Sequence, residues 1–469
     1  MTSAVARSQF GFADSWSMAE AWFPKVAAIQ GPPRKPAVPV RRWVDYLRGI
    51  SFGLPLVLSC VAMLVLHFSL WGGNLAIEAA TAVGAGAITS FILSGGFVQA
   101  MARRGLFYIG TRQYERCWRS TWYWVRACVL ANVAVIAVFT LANLYFGWLP
   151  YPLALIAMSF CLTLGVFWLT TGILYMLEQN LLVSLASLAG ISGAATLHLG
   201  LGMALLSAQL ISILLASCLS FLVSAFILKR KAAGRKLGGN GAPDNRLHLV
   251  WPYFCYGALY YLFLFFDRIL AWTAHTNSSS LVIAFRGDYE LASFIGLLAF
   301  ILQVGWVHLA TARFYRTVRI EQARMHVDEI ATFNSTMLRF YRRQAALFFP
   351  PAVLVSVAVY FGAWHFDLFR TVIVDNVAVW ALAGYPFLVF GLWNVSLLFA
   401  MSRGSCALQA IFMACCADFA AGYLASRLGG YELAIAGFTC GSIVFAFIAG
   451  HHCLETFRRL DYFYLVSAV

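Results

Sequence analysis

Long apolar stretches are the feature that most constrains this chain, because they recur through almost its whole length. A helix needs about 20 mostly apolar residues to cross the hydrocarbon core of a bilayer. Twelve stretches of roughly that size can be marked out, at 49–71, 76–100, 121–146, 151–175, 180–200, 202–228, 249–272, 289–312, 345–364, 377–401, 405–426 and 431–453. The fifth and sixth form one run that is too long for one helix, and we predict a break at HLGLG, residues 198–202.

The amino-acid composition also indicates a chain that lies mostly within a membrane. Of the 469 residues, 61% are hydrophobic and only 11% are charged, whereas soluble domains carry about 25% charged residues. The deficit means that most of the protein surface does not face water. The sequence therefore predicts an all-α integral membrane protein with about twelve transmembrane helices.

The distribution of basic residues predicts the orientation of these helices. If the N-terminus lies inside and the spans alternate, 28 of the 33 Lys and Arg residues fall in inside segments and three, Arg286, Arg370 and Arg427, fall outside. Such a bias is typical of cytoplasmic loops. It predicts that both termini are cytoplasmic, and it accounts for the net charge of +14 without nucleic acid as a partner.

A basic, glycine-rich stretch at 229–248 falls between the sixth and seventh spans. It divides the chain into an N-lobe at 49–228 and a C-lobe at 249–453, with cytoplasmic tails at 1–48 and 454–469. Two six-helix lobes joined by a flexible linker are typical of transporters in which the lobes rock around a site near the midplane.

The inside segment 313–344 has a different pattern. Ile330, Phe333, Met337 and Phe340 recur at helical spacing, with arginines between and beside them. This pattern predicts an amphipathic helix on the inner membrane face. A docking surface for a partner protein is the alternative interpretation.

Asp267 and Arg268 stand side by side within the apolar run YYLFLFFDRILAW. Neighbouring residues on a helix point about 100° apart, so the two side chains do not simply pair with each other. The next loop adds Arg286, Asp288 and Glu290 in FRGDYEL. We expect these five residues to form a gate or water-filled cavity at the outer end of two spans, although Arg268 could instead extend its side chain to the membrane interface.

Asp418 is the other charged residue deep within a span, in the middle of the eleventh. A carboxylate at that depth faces a cavity or is paired, and it is a candidate for transport. No P-loop, dinucleotide fingerprint or HExxH motif occurs, and the cysteines lack metal-site spacing. We therefore expect no enzymatic activity, cofactor or metal.

The tract WPYFCYGALYYLFLFFDRILAW, followed by FRGDYEL, resembles the seventh span and next loop of the Pel exopolysaccharide transporter family. The tracts GYPFLVFGLWNVSLLF and LETFRRLDYF extend the resemblance, which covers mainly 249–465. The long, proline-rich N-terminal tail departs from the usual opening of that family. Asp267 and Arg268 are the positions that match the family pattern.

This resemblance implies a two-lobe fold of the multidrug/oligosaccharidyl-lipid/polysaccharide flippase superfamily, similar to MATE transporters. It also implies transport of a polysaccharide, or its lipid-linked precursor, across the bacterial inner membrane, beside a cytoplasmic glycosyltransferase and other membrane subunits. Two alternatives stay open: a cation-coupled antiporter of small molecules from the same superfamily, and a membrane scaffold that recruits a polysaccharide synthase without transporting anything.

Overall fold

The computed structural model describes residues 76–233, 247–274, 283–324, 330–369 and 371–467. Helices account for nearly all of these residues, and no strand occurs among them. The helices are α1 Ile77–Gly110, α2 Tyr114–Phe146, α3 Tyr151–Met176, α4 Asn180–Ala195, α5 Leu205–Ala233, α6 Leu247–Thr273, α7 Gly287–Arg324, α8 Ile330–Ala346, α9 Phe349–His365, α10 Val372–Ala400, α11 Gly404–Leu428, α12 Ile435–Arg458 and α13 Leu460–Ser467.

Within the described ranges, 11 helices are long and apolar enough to cross a membrane. They coincide with the second to twelfth predicted spans, while the first, 49–71, lies outside the described residues. Several helices run beyond the predicted edges; α7, for example, continues to Arg324 instead of ending near 312. Hydropathy detects only the part of a helix that lies in lipid, so a charged extension is missed.

The predicted break in the fifth apolar run is confirmed. After α4, a π-helical turn at Thr196–Gly200 leads to Gly202, whose φ of 67° is in the left-handed region that glycine favours. The Met203 backbone is held on both sides, because its N–H donates to Leu197 O over 3.1 Å and its carbonyl lies 2.8 Å from His198 Nδ1. One long apolar run thus becomes two antiparallel helices.

The helices form two groups with the same internal packing. We call α1–α5 the N-lobe and α6–α13 the C-lobe. In the N-lobe, α1 packs on α2 and α3, and α5 packs on α2, α3 and α4. In the C-lobe, α7 packs on α9 and α10, and α12 packs on α8, α10 and α11. The pairs correspond one to one when each span is matched to the span six places later. This internal repeat has no counterpart in residue identities.

Among the described residues the two lobes meet mainly along α1 and α6. These helices run antiparallel, with Gly84 against Trp272 towards one end and Gly96 against Phe254 towards the other. The backbones come very close, since a β-carbon on Gly257 would overlap the carbonyl oxygen of Gly95. Small residues permit such an approach between membrane helices. We call this α1–α6 contact the lobe seam.

The lobe seam has two ends. The basic end carries most of the described Lys and Arg residues, and there Arg103 Nη2 donates to Ser402 Oγ over 2.9 Å. At the opposite end the Phe285 N–H donates to Thr81 Oγ1 over 3.0 Å. Polar contacts therefore join the lobes at both ends of the seam.

The amphipathic helix predicted within 313–344 corresponds to α8, but its apolar face packs on protein and not on lipid. Phe333, Met337 and Tyr341 are all buried in the C-lobe core. Tyr341 Oη donates to Asn394 Oδ1 of α10 over 2.6 Å. The first part of the predicted segment, up to Arg324, belongs to α7. Hydrophobic periodicity shows that a helix has an apolar face, but it does not show what covers that face.

Candidate functional site

Asp267 and Arg268 lie in the last two turns of α6 and point to different partners, as their adjacent positions predict. The Asp267 side chain is buried, and Tyr289 Oη of α7 donates to its Oδ2 over 2.7 Å. Its Oδ1 has no hydrogen-bond partner in the described part of the chain. One carboxylate oxygen is therefore held between two helices, and the other is free to accept a proton or another donor.

Arg268 does not extend to the membrane interface. Its side chain is only 11% exposed, and its Nε lies 3.3 Å from Oε2 of the buried Glu290. The guanidinium also lies over the ring of Phe265, 5.1 Å from the centroid. An ion pair out of water is strongly coupled, because little solvent screens it. Removing either charge would leave the other uncompensated.

Trp272 completes this arrangement. Its indole Nε1–H donates to Glu290 Oε1 over 3.0 Å, so each oxygen of Glu290 faces a different residue of α6. Tyr289 and Glu290 are consecutive in the first turn of α7, which brings the partners of Asp267 and Trp272 to one place. We call Asp267, Arg268, Trp272, Tyr289 and Glu290 the charge cluster.

Asp418 lies in the middle of α11 and is fully buried. Among the described residues, neither of its carboxylate oxygens has a hydrogen-bond partner. The helix is held close to α12 here, because β-carbons on Gly437 and Gly441 would lie 2.6 Å from Asp418 Oδ1 and 2.9 Å from its Cβ, respectively. A buried carboxyl group without partners is stable only when a proton or cation neutralises it.

The other two predicted residues lie outside the charge cluster. Arg286 Nη2 donates to the Ala274 carbonyl over 3.2 Å, and its guanidinium lies over the Tyr431 ring at 4.9 Å. Asp288 is exposed. Helix α7 begins between Arg286 and Glu290, and the turn of the backbone sends these side chains in different directions.

Sequence reasoning missed Tyr289 and Trp272, the two neutral residues of the charge cluster. Both are almost completely buried. A polar aromatic side chain usually finds a hydrogen-bond partner when it is buried. The signal was their position, since Tyr289 precedes a predicted site acid and Trp272 follows Arg268 by one helical turn.

Aromatic rings of both lobes meet next to the charge cluster. Phe91 of α1 lies 4.7 Å from Trp168 of α3, 5.5 Å from Tyr261 and 5.1 Å from Phe265 of α6, measured between ring centroids. No residue that the structure describes forms a hydrogen bond with Trp168 Nε1. Phe265 also contacts Arg268, so the rings and the charges form one continuous surface. We call Phe91, Trp168, Tyr261 and Phe265 the aromatic tract.

A cavity of about 380 Å³ lies apart from the charge cluster, among α1, α2 and α3. Its lining is apolar except for a few polar side chains such as Thr81 and Thr89, and Ile283 of the C-lobe closes one side. Asp267, Tyr289 and Glu290 are instead packed within protein. The charged residues of the seventh and eighth spans thus form a closed cluster in this conformation.

Comparison with known proteins gives a family and a fold. The sequence matches the family model of the PelG exopolysaccharide exporter (EPS-E) over residues 48–464, which extends the resemblance to both lobes. No curated protein is significantly similar to the chain.

The fold is that of the MATE transporters. A Vibrio cholerae MATE transporter superposes with a TM-score of 0.61 at 14% identity, covering 97% of this chain and 100% of the other. An outward-facing multidrug resistance MATE family transporter of the MOP superfamily superposes with a TM-score of 0.58 at 15% identity, covering 89% of this chain and 96% of the other. At such low identity the similarity shows the shared fold alone.

Proposed function

The chain belongs to the family of PelG exopolysaccharide exporters, and from that premise we propose that it moves a polysaccharide, or its lipid-linked precursor, across the bacterial inner membrane. Family and fold are those of membrane transporters, not enzymes. The observation that carries the choice of substrate is the aromatic tract, which both lobes build beside Arg268. Flat aromatic faces and a few charged groups suit a glycan, because sugars present apolar ring faces and many hydroxyls.

Transport would proceed by alternating access. The basic end of the lobe seam faces the cytoplasm in this proposal, as the positive-inside bias predicts. The lobes are joined by separate contacts at the two ends of the seam, Arg103 with Ser402 at one and Thr81 with Phe285 at the other. Opening one set while the other holds would expose the aromatic tract to one side of the membrane at a time.

The aromatic tract can be tested by removing single rings. We expect Phe91→Ala and Tyr261→Ala to reduce the surface polysaccharide of cells that carry the variant, because each loses a stacking face between the lobes. Phe447→Ala is the matched control, since the Phe447 side chain is 77% exposed on α12, away from the seam. Membrane protein levels are compared by blot. Unchanged export in both tract variants, with normal protein levels, would refute the assignment of the substrate path.

Coupling to a cation is a second element of the proposal. It is favoured by Asp267 Oδ1 and both carboxyl oxygens of Asp418, which form no hydrogen bond with the described residues. A proton or Na⁺ taken up there would change the charge of the C-lobe core. The same carboxylates would also serve a cation-coupled antiporter of small molecules. Asp267→Asn and Asp418→Asn should then lower export at normal protein levels, while Glu115→Gln, at an exposed acid on α2, should not.

Drug-resistance assays on these variants distinguish the two transporters. Loss of surface polysaccharide without a change in drug tolerance supports glycan export. Loss of drug tolerance in cells that still make normal polysaccharide would replace it with the antiporter.

A cytoplasmic glycosyltransferase would supply the glycan at the basic end. Helix α8 supports this idea, because its apolar face packs on the C-lobe while Arg339, Arg342 and Arg343 stay exposed. Replacing the three arginines with glutamine should reduce co-purification of the glycosyltransferase. If the arginine variant loses co-purification of the glycosyltransferase while the aromatic-tract variants still export polysaccharide, the protein serves as a scaffold for synthesis.

A further inference from the structure

We propose that Trp272 is a positioning residue that transmits a change at the buried Glu290 carboxylate to the lobe seam. The proposal rests on the proposed transport function, since it supplies the link between the charge of the C-lobe and the contact between the lobes. It assigns this role to one side chain because Trp272 touches both parts of the molecule.

One edge of the Trp272 ring is hydrogen-bonded to the carboxylate of Glu290. The indole Nε1–H donates to Glu290 Oε1 over 3.0 Å, in a region where both side chains are buried. The other oxygen of Glu290 faces Arg268 Nε at 3.3 Å. A hydrogen bond to a carboxylate is stronger than one to a neutral group. Neutralising Glu290 therefore weakens the bond that fixes the indole.

The other edge of the ring lies against α1 of the N-lobe. A β-carbon built on Gly84 would lie 2.6 Å from Cη2 of Trp272, so no larger residue fits while the ring keeps its place. Nε1 and Cη2 lie on opposite rings of the rigid indole plane. A rotation that breaks the bond to Glu290 must therefore change the contact with Gly84.

The neighbouring backbone adds a second link at the same end of the seam. The Trp272 carbonyl accepts from the Ala284 N–H over 3.1 Å, and the Phe285 ring lies 5.6 Å from the Trp272 ring. The Phe285 N–H in turn donates to Thr81 Oγ1 of α1. Displacing Trp272 would disturb both seam contacts of this end, with Thr81 and with Gly84.

The contacts at the basic end do not include the charge cluster. Arg103 there binds Ser402 and lies over the Tyr253 ring at 4.9 Å. A change at Glu290 thus loosens one end of the seam and leaves the other in place. Unequal response of the two ends is what alternating access requires of a coupling residue.

Hydrogen–deuterium exchange of the purified full-length protein tests the proposal, because it reports local opening and does not depend on the transported substrate. Glu290→Gln keeps the size of the side chain and removes its charge. We expect exchange in residues 77–89 of α1 to rise roughly two- to tenfold, the range for weakening one hydrogen bond. Exchange in residues 100–110, at the basic end, should stay at the wild-type rate.

The decisive comparison uses Trp272→Phe, which removes the N–H and shortens the ring. Exchange in 77–89 should rise as in Glu290→Gln, and the double variant should show no further rise. If Glu290→Gln raises exchange by the same factor in the Trp272→Phe background as in the wild-type background, Trp272 is not the link. No rise for Glu290→Gln in the wild-type background would refute the proposal as well. That result would leave the transporter assignment intact, since export is measured separately.

Gly84→Ala tests the contact with Trp272 from the side of the N-lobe. It replaces the Trp272→Phe experiment if that variant does not fold. The added methyl group presses on Cη2 of Trp272, so exchange should rise at 287–294, where α7 holds Glu290. Gly362→Ala is the matched control, because a β-carbon there would have no described atom within 4 Å beyond its own chain neighbours and helix backbone. Equal exchange profiles for the two alanine variants would overturn the proposal.

Discussion

The two lobes share a packing plan but differ in how they hold polar groups. In the described part of the N-lobe, many hydroxyl and amide side chains bond to carbonyls of their own helix, as Ser217 does to Ile213 and Asn132 to Cys128. The C-lobe has such local bonds too, as from Ser396 to Leu392, but it adds bonds between side chains of different helices, as from Tyr289 to Asp267. The buried carboxylates of the described residues are all in the C-lobe.

Bonds within one helix and bonds between helices have different consequences for the two lobes. A side chain that bonds within its own helix fixes no neighbour, so the N-lobe depends on shape and close packing. Charged groups that bond between helices fix relative positions, and they respond when their charge changes. In the proposed mechanism the C-lobe would bind the cation, and the N-lobe would be the surface against which the C-lobe moves in response.

The strongest test of this contrast is Arg268→Ala. It leaves Glu290 buried beside Asp267 without a counter-charge, and we expect it to lower the free energy of unfolding by about 3–5 kcal/mol. Thermal unfolding of the purified protein measures the loss. The control is Arg119→Ala in the N-lobe, whose ion pair with Glu115 is exposed and should contribute little. Similar losses of stability in the two variants would mean that the buried ion pair contributes no more to folding than the exposed one.

The lobe seam should be the next most sensitive region. Gly257→Val places a branched side chain against Gly95 and forces α1 and α6 apart. Overpacking of this kind costs about 1–3 kcal/mol. We expect lower thermal stability together with a large loss of export. A variant that exports normally would show that the lobes do not need this close contact to work.

Polar groups of the N-lobe that bond locally, away from the lobe seam, should matter for stability alone. Asn143 bonds to both backbone groups of Leu149, donating over 2.9 Å and accepting over 2.7 Å, and so closes the turn after α2. Asn143→Ala should cost about 1–2 kcal/mol. Export per molecule of membrane protein should stay normal. A specific loss of export would assign the N-lobe a polar role in transport that its local bonds do not indicate.

Asp418→Asn should have the smallest effect on stability and a large effect on transport. The amide has nearly the same size and no charge, so unfolding should change by no more than about 1 kcal/mol, a typical value for one substitution. Export should fall if the carboxyl group takes up a cation. Thermal unfolding and surface polysaccharide are measured on the same variant. Normal export would make Asp418 a buried structural residue like Asn132 of the N-lobe.

The sequence by itself determined the class of protein, the positions of eleven of its spans and the separate orientations of Asp267 and Arg268. Hydropathy and charge bias act over short stretches of chain, and the 100° step between neighbouring helical residues is a local property. Family resemblance in the C-terminal half was also readable from residues. The match over 48–464 confirms it.

Only the tertiary structure decided which partners these residues meet. In the folded protein Tyr289 is hydrogen-bonded to Asp267, and Trp272 is hydrogen-bonded to Glu290. Asp288 lies at the surface, and α8 packs on the core of the C-lobe. Such contacts depend on how far each helix is rotated and on which helix lies beside it. Neither quantity is encoded in a single apolar span, because the same hydrophobic surface can face lipid or another helix.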